Sequence, residues 1–212
     1  MRSAELQPED GRVVTVVLLA AGEASRMGVG GRHKLLAEFD GIPLVRRSAV
    51  AALDTRASSV TVVTGHRHQE IEAALGGLDL RYVHNPNYAS GMAGSLVAGF
   101  STDQVKHGDG TLVLNADMPK ITSADLDALI IAFERAKGDA VIRAASISRR
   151  GNPVVLPRSL YDSVLSLRGD IGARHLIETS GHPVVDVPIE ECSLLDVDTP
   201  EAILAAGGVL TV

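Results

Sequence analysis

Val13-Val14-Thr15-Val16-Val17-Leu18-Leu19-Ala20-Ala21-Gly22-Glu23-Ala24-Ser25-Arg26-Met27-Gly28 opens the ordered part of the sequence. Val13 to Leu19 is an apolar, β-branched run without alternation, as expected of a central strand covered on both faces. Ala20, Ala21 and Gly22 follow. Small residues let the backbone come close to a ligand, and successive N–H groups in such a turn form an anion-binding nest. Arg26 and Lys34 come next, and both can neutralise anionic oxygens. The segment reads either as an ordinary flexible β–α loop or as a phosphate nest. Two well-known loops are excluded by spacing. A Walker A loop needs Gly-Lys followed by Ser or Thr, but Lys34 lies between His33 and Leu35. A dinucleotide fingerprint needs G-x-G-x-x-G after the strand, and Gly22, Gly28, Gly30 and Gly31 do not fit it.

Outward from this strand, similar runs recur at 59–64, 80–84, 111–115 and 140–145, with helix-like segments at 44–53, 68–75, 95–100 and 123–137 between them. Thr122 and Asp125 supply a start signal for the last helix. Strand alternating with helix predicts an α/β fold: a Rossmann-like, mostly parallel sheet flanked by helices, with the ligand beyond the C-terminal strand ends. Residues 1–12 read as a polar, disordered tail and 13–212 as one domain. From Gly151 the pattern changes to short apolar pieces with Pro153, Pro157, Pro183, Pro188 and Pro200. That half is expected to pack on the same sheet and to form part of a second substrate's site.

The bulk numbers exclude several classes. The formal charge is −6, from 20 basic and 26 acidic residues, and aromatics are 3%. Nucleic-acid binding usually needs a basic excess or stacking platforms, so no nucleic-acid partner is expected. The longest apolar run is far short of the ~20 residues of a membrane span, so no membrane partner is expected either. Cys192 is the single cysteine, which rules out an internal disulfide and fits a cytoplasmic location. No CxxC, HExxH or nucleophile elbow is present, and His66-Arg67-His68-Gln69-Glu70 reads as a solvated first turn of a helix rather than a metal cluster.

Two acidic sites stand out. Asp117 follows the 111–115 strand and should lie at its C-terminal end near the glycine loop, either as a cap or as a magnesium ligand. In Asp196-Val197-Asp198-Thr199-Pro200 alternation puts both aspartates on one side, and Thr199 can cap a helix starting at Pro200.

Together these segments resemble the molybdenum cofactor nucleotidyltransferases of the MobA-like NTP transferase family, and the cytidylyltransferase branch most. The resemblance runs from Val16 to about Ile203. It rests on Leu19-Ala20-Ala21-Gly22, Ser25-Arg26-Met27-Gly28, Lys34-Leu35-Leu36, Asn85-Pro86 with Gly91-Met92 and Ser95-Leu96, Ala116-Asp117-Met118-Pro119, Gly151-Asn152-Pro153-Val154, Arg168 to Arg174, and Asp196 to Pro200. Against the family pattern, five residues separate Gly28 from Lys34, Ala116 replaces a common glycine, and Asn152 replaces a common histidine.

The resemblance implies nucleotidyl transfer from CTP to the terminal phosphate of molybdopterin, with release of pyrophosphate. It implies that Leu19, Ala20, Ala21, Gly22, Ser25, Arg26, Lys34, Gly91, Ser95 and Asp117 surround the nucleotide, with Arg26, Lys34 and Asp117 catalytic. It places Mg²⁺, or Mn²⁺, on Asp117 and Asp198. It assigns Asn152, Pro153, Gly169, Asp170 and Arg174 to the acceptor and suggests a molybdenum enzyme as client. Ala20-Ala21-Gly22 in the first loop favours CTP over GTP. The competing readings are a guanylyl- or sugar-phosphate nucleotidyltransferase of the same fold, and a non-catalytic chaperone for molybdenum cofactor.

Overall fold

The long apolar runs become strands buried on both faces. In the computed structural model, which describes residues 11–23, 33–148, 150–169 and 172–210, β1 (Val14–Ala20) is followed by a 3-10 turn at Lys34–Leu36. A small hairpin comes next, β2 (Glu38–Phe39) and β3 (Ile42–Pro43). Then come α1 (Leu44–Leu53), β4 (Val60–Thr64), α2 (His68–Ala74), β5 (Arg81–His84), α3 (Met92–Phe100), α4 (Asp103–His107) and β6 (Gly110–Asn115). The second half holds α5 (Ser123–Arg135), β7 (Val141–Ala145), β8 (Arg150–Pro157), α6 (Tyr161–Leu165), α7 (Ala173–Thr179), β9 (Val184–Pro188) and α8 (Pro200–Ala205). The main sheet has the order β5-β4-β1-β6-β8-β7-β9, and β8 alone of these strands runs antiparallel to its neighbours.

Side chains along β1 alternate between two cores. Val16 and Leu18 pack with α1, α2 and α5, while Val17 packs with α3 and α6. Both faces are apolar because both are covered by helices, so the strand shows no polar alternation. The α5 start is as the sequence predicts: Thr122 accepts from the Asp125 N–H and Asp125 reaches back to the Thr122 N–H. Such a cap contributes about 1 kcal/mol. Thr199 likewise accepts from the Ala202 N–H, with Pro200 in the first turn of α8. No described helix is long and apolar enough to cross a membrane.

The proline-rich second half enters the sheet. Pairing of β8 with β7 jumps from Arg143↔Val154 to Ala144↔Gly151, which leaves Asn152 and Pro153 outside the register. A proline is tolerated there because no ladder N–H is required at a bulge. The same irregularity ends the β6–β8 pairing at Val113↔Val154. The last residues of β6 therefore have a partner strand only on the β1 side, and a cleft opens on the other.

Helix α3 lies tightly on the sheet through Gly99. A Cβ there would stand 2.6 Å from Val17 Cγ1 and 3.1 Å from Val63 Cγ2, both on stiff β-branched side chains. Overpacking of this kind costs about 1–3 kcal/mol, against about 1 kcal/mol gained by replacing glycine in a helix. Gly99→Ala is therefore expected to lower unfolding stability in urea by up to roughly 2 kcal/mol, and greater stability would contradict the close approach.

Candidate active site

Ala21 and Gly22, just after β1, are fixed from three sides. The His66 N–H donates to the Ala21 carbonyl at 3.1 Å. Gly65 packs so closely that a Cβ would meet the Ala21 oxygen at 2.7 Å and Tyr88 Cβ at 2.7 Å. The Gly22 carbonyl accepts from His33 Nε2 at 3.2 Å, while His33 Nδ1 accepts from the Leu35 N–H at 3.3 Å. Since Nδ1 is an acceptor, the proton lies on Nε2 and the ring is neutral. Burial, reinforced by nearby His66, Arg67 and Lys34, pulls the His33 pKa down from 6.5 to about 4, although the Gly22 bond opposes it. The chain thus leaves β1 at Gly22 and returns at His33 within hydrogen-bond reach. Ser25 and Arg26, assigned to the nucleotide from sequence, lie outside the described residues.

Lys34 begins the 3-10 turn that His33 caps. Its Nζ donates to Asp117 Oδ2 at 2.6 Å and to Asp198 Oδ1 at 2.7 Å. Asp117 is held by its backbone: its carbonyl accepts from the Val197 N–H at 3.0 Å, and the Ala116 N–H donates to the Leu19 carbonyl at 3.1 Å. Val197 is fully buried, which fixes the segment carrying Asp196 and Asp198 against Asp117. Burial works against the Lys34 ammonium, but the two carboxylates outweigh it and hold its pKa above the ordinary lysine value. Burial also raises the Asp117 carboxyl above its ordinary value; Lys34 opposes this, and repulsion from Asp198 and Asp196 adds to it.

Asp117 Oδ1 is buried with no hydrogen-bond partner among the described residues. A buried, unpartnered carboxylate oxygen is costly unless a cation reaches it. Among the described residues no three His, Cys, Asp or Glu side chains converge as a complete metal cage. Two carboxylates suit an ion such as magnesium, which takes one or two protein carboxylates and its remaining ligands from phosphates and water.

Beside these acids lies a cleft of about 560 Å³. Leu19, Met92, Asn115, Asp196, Arg143, Arg150, Asn152 and Arg174 are among the residues that line it. Asn152 and Arg174, two of the residues assigned to the acceptor from sequence, both line this cleft, while Pro153 is buried. The Gly169 carbonyl accepts from the Ala93 N–H at 3.1 Å, tying its turn to the start of α3. Asp170 lies outside the described residues. Gly91 precedes α3 at φ 112°, and Ser95 Oγ accepts from Asn85 Nδ2 at 3.1 Å inside the protein.

Sequence reasoning passes over the clamp on the loop. His66 is half-buried, stacked on His33 at 5.7 Å and edge-on to Tyr88; only Arg67 and Glu70 of that segment form the solvated pair expected of a first turn. Arg143 was also missed, although a lone charge inside the apolar run 141–145 was a readable signal.

The His33 clamp has a pH signature. Its folded pKa is about 4 against 6.5 unfolded, so between those values the unfolded chain binds the proton more readily. Stability attributable to His33 is complete above pH 6.5 and falls by ~1.4 kcal/mol per pH unit toward pH 4, roughly 3 kcal/mol in all. Urea unfolding of wild type and His33→Gln at pH 6.5 and 4.5 should show the shallower loss in the variant. Parallel losses in the two proteins would remove His33 as the cause.

With this geometry in view, the comparisons with known proteins converge. The MobA-like NTP transferase domain family matches residues 16–184. The chain is 25% identical over 194 residues to molybdenum cofactor cytidylyltransferase of Escherichia coli K12, covering 91% of this chain and 95% of that one. It is 31% identical over 166 residues to nicotine blue oxidoreductase of Paenarthrobacter nicotinovorans, covering 76% and 79%. Its fold superposes on a nucleotidyl transferase from Methanothermobacter thermautotroptrophicus with a TM-score of 0.77 and 26% identity, over 92% of this chain and 96% of that one. The chain belongs to the MobA-like NTP transferase domain family and is a nucleotidyltransferase.

Proposed function

We propose that this nucleotidyltransferase moves the cytidylyl group of CTP onto the terminal phosphate of molybdopterin. The observation that carries the reading is the pair Asp117 and Asp198, held on one ammonium beside the glycine loop, with Asp117 Oδ1 buried and unpartnered. The similarity to the cytidylyltransferase of Escherichia coli over nearly the whole of both chains supports the acceptor and the nucleotide.

In the transfer an oxygen of the acceptor phosphate attacks the α-phosphorus of CTP, the bond to the bridging α–β oxygen breaks, and pyrophosphate leaves with the electron pair. The acceptor is already ionised, so no general base is needed, and positioning with charge neutralisation supplies most of the acceleration. Ala20, Ala21 and Gly22 offer a close backbone approach to the phosphates. Arg26 and Lys34 neutralise the charge that gathers on pyrophosphate. Asp117 and Asp198 fit a magnesium or manganese ion on the evidence of the unpartnered Oδ1. Such an ion supplies Lewis-acid neutralisation of phosphate oxygens.

A second reading comes from the relative named as an oxidoreductase: the same nucleotide cleft used for a redox cofactor. The glycine spacing lacks the dinucleotide fingerprint, and a pair of carboxylates beside the loop repels a pyrophosphate bridge unless a cation intervenes.

Incubation with molybdopterin and CTP, GTP or ATP in parallel should release pyrophosphate fastest with CTP. Asp117→Asn is expected to cut that release by at least ~10²-fold while the far-ultraviolet circular dichroism stays unchanged. Wild-type-like turnover in the variant would refute the role of Asp117. Oxidation of a reduced nicotinamide cofactor without pyrophosphate release would favour the second reading.

A further inference from the structure

Arg143 is the one charged residue of β7, among Val141, Ile142 and Ala144, which are fully buried. A cation is seldom placed in such a strand unless it is paired. Its partner is Asp186, the residue in register with it on β9, and Arg143 Nε donates to Asp186 Oδ1 at 2.8 Å. The other oxygen of that carboxylate lies 3.4 Å from Arg150 Nε. Two guanidinium groups therefore share one carboxylate, and one positive charge is in excess. The bond from Arg143 holds the Asp186 carboxyl below the ordinary aspartate value, so the brace stays ionised at neutral pH.

The pairing uses only Nε. Among the described residues neither Nη nitrogen of Arg143 has a hydrogen-bond partner. The side chain is 21% exposed, and Arg143 is one of the residues lining the cleft. An arginine fixed at Nε and open at both Nη groups presents a planar two-donor fork, which matches two oxygens of one anionic group. A residue serving only to tie β7 to β9 has no need to face the cleft. Arg150 and Arg174 line the same cleft, where three arginines outnumber the one acid, Asp196, among the lining residues. Strand β7 is two places from β6 in the sheet, roughly 10 Å at normal strand spacing.

We propose that Arg143, braced by Asp186, is a specificity-determining residue for the acceptor and takes an anionic group other than the phosphate that receives the nucleotide. For the identity of the acceptor this rests on the proposed function. In molybdopterin, negative charge apart from the phosphate resides on the dithiolene sulfurs and on oxo groups of any metal they hold. Asp186 acts through Arg143 and is a positioning residue.

Two measurements on the full chain test this. In the first, the Arg143 Nε–H signal is identified in a ¹⁵N spectrum by its loss in Arg143→Lys, and inorganic phosphate is titrated into wild type. A saturable shift of that signal is expected, with weaker binding in Asp186→Asn. An unmoved signal overturns the proposal. In the second, steady-state turnover with molybdopterin and CTP is compared. Arg143→Gln should raise the acceptor KM roughly 10- to 30-fold, as loss of a charged hydrogen bond does, with the KM for CTP within about twofold of wild type. Arg143→Lys should recover part of the loss, and Asp186→Asn should show a smaller rise. A wild-type acceptor KM in Arg143→Gln also overturns the proposal. If wild type shows no turnover with molybdopterin, the reading of the acceptor fails, and the phosphate titration alone then decides whether Arg143 is an anion site.

Discussion

The Lys34 ammonium touches Asp117, 83 residues along the chain, and Asp198, 164 residues along. One cation thereby joins the turn after the glycine loop, the end of β6 and the segment before α8. None of these groups is fully exposed, and Asp117 is 14% exposed. Removing Lys34 would strand the largely buried Asp117 carboxylate, at a cost of several kcal/mol. The surrounding backbone serves to make the meeting possible. Val197 plugs the core and donates to Asp117, His33 caps the turn that carries Lys34, and Gly65 allows Ala21 to come close enough for His66 to bind it.

The arrangement joins folding to charge. Asp117 Oδ1 is a buried acceptor that no described residue fills, a local deficit of positive charge. Within a partly buried site, like charges about 4 Å apart repel by about 4 kcal/mol at an effective dielectric of 20. A protein that keeps such a deficit beside a small-residue loop holds a place for added positive charge, and a triphosphate brings divalent cations with it. Lys34 can satisfy Asp117 Oδ2 and Asp198 but leaves Asp117 Oδ1 without a partner.

The sheet was legible where burial on both faces erased polar alternation: 13–19, 59–64 and 111–115 correspond to β1, β4 and β6. The caps at Thr122 and Thr199 were legible because side-chain chemistry fixes them locally. The antiparallel strand β8 was not. Pro153 and Pro157 argue against a strand, and only tertiary pairing shows that the first sits in a bulge and the second closes the strand against Gly110. The edge strand β9 is short and largely exposed, so it carries little apolar signal. In the site, Asp117 and Asp198 stand out because each adjoins a strand end or a helix cap. The clamp of His33, Gly65 and Tyr88 is assembled from segments whose spacing in the chain says nothing about their contact.

Net charge describes the exterior of this protein better than its cleft. A total of −6 argues against a broad polyanion surface, yet the cleft is lined by Arg143, Arg150 and Arg174. At physiological ionic strength the screening length is about 8 Å, close to the roughly 10 Å between β6 and β7. Asp117, just past the end of β6, therefore only partly cancels Arg143 on β7. The bulge at Asn152 and Pro153 makes this separation possible: by ending the β6–β8 pairing early, it opens space between these two charges instead of letting them neutralise each other across a closed sheet.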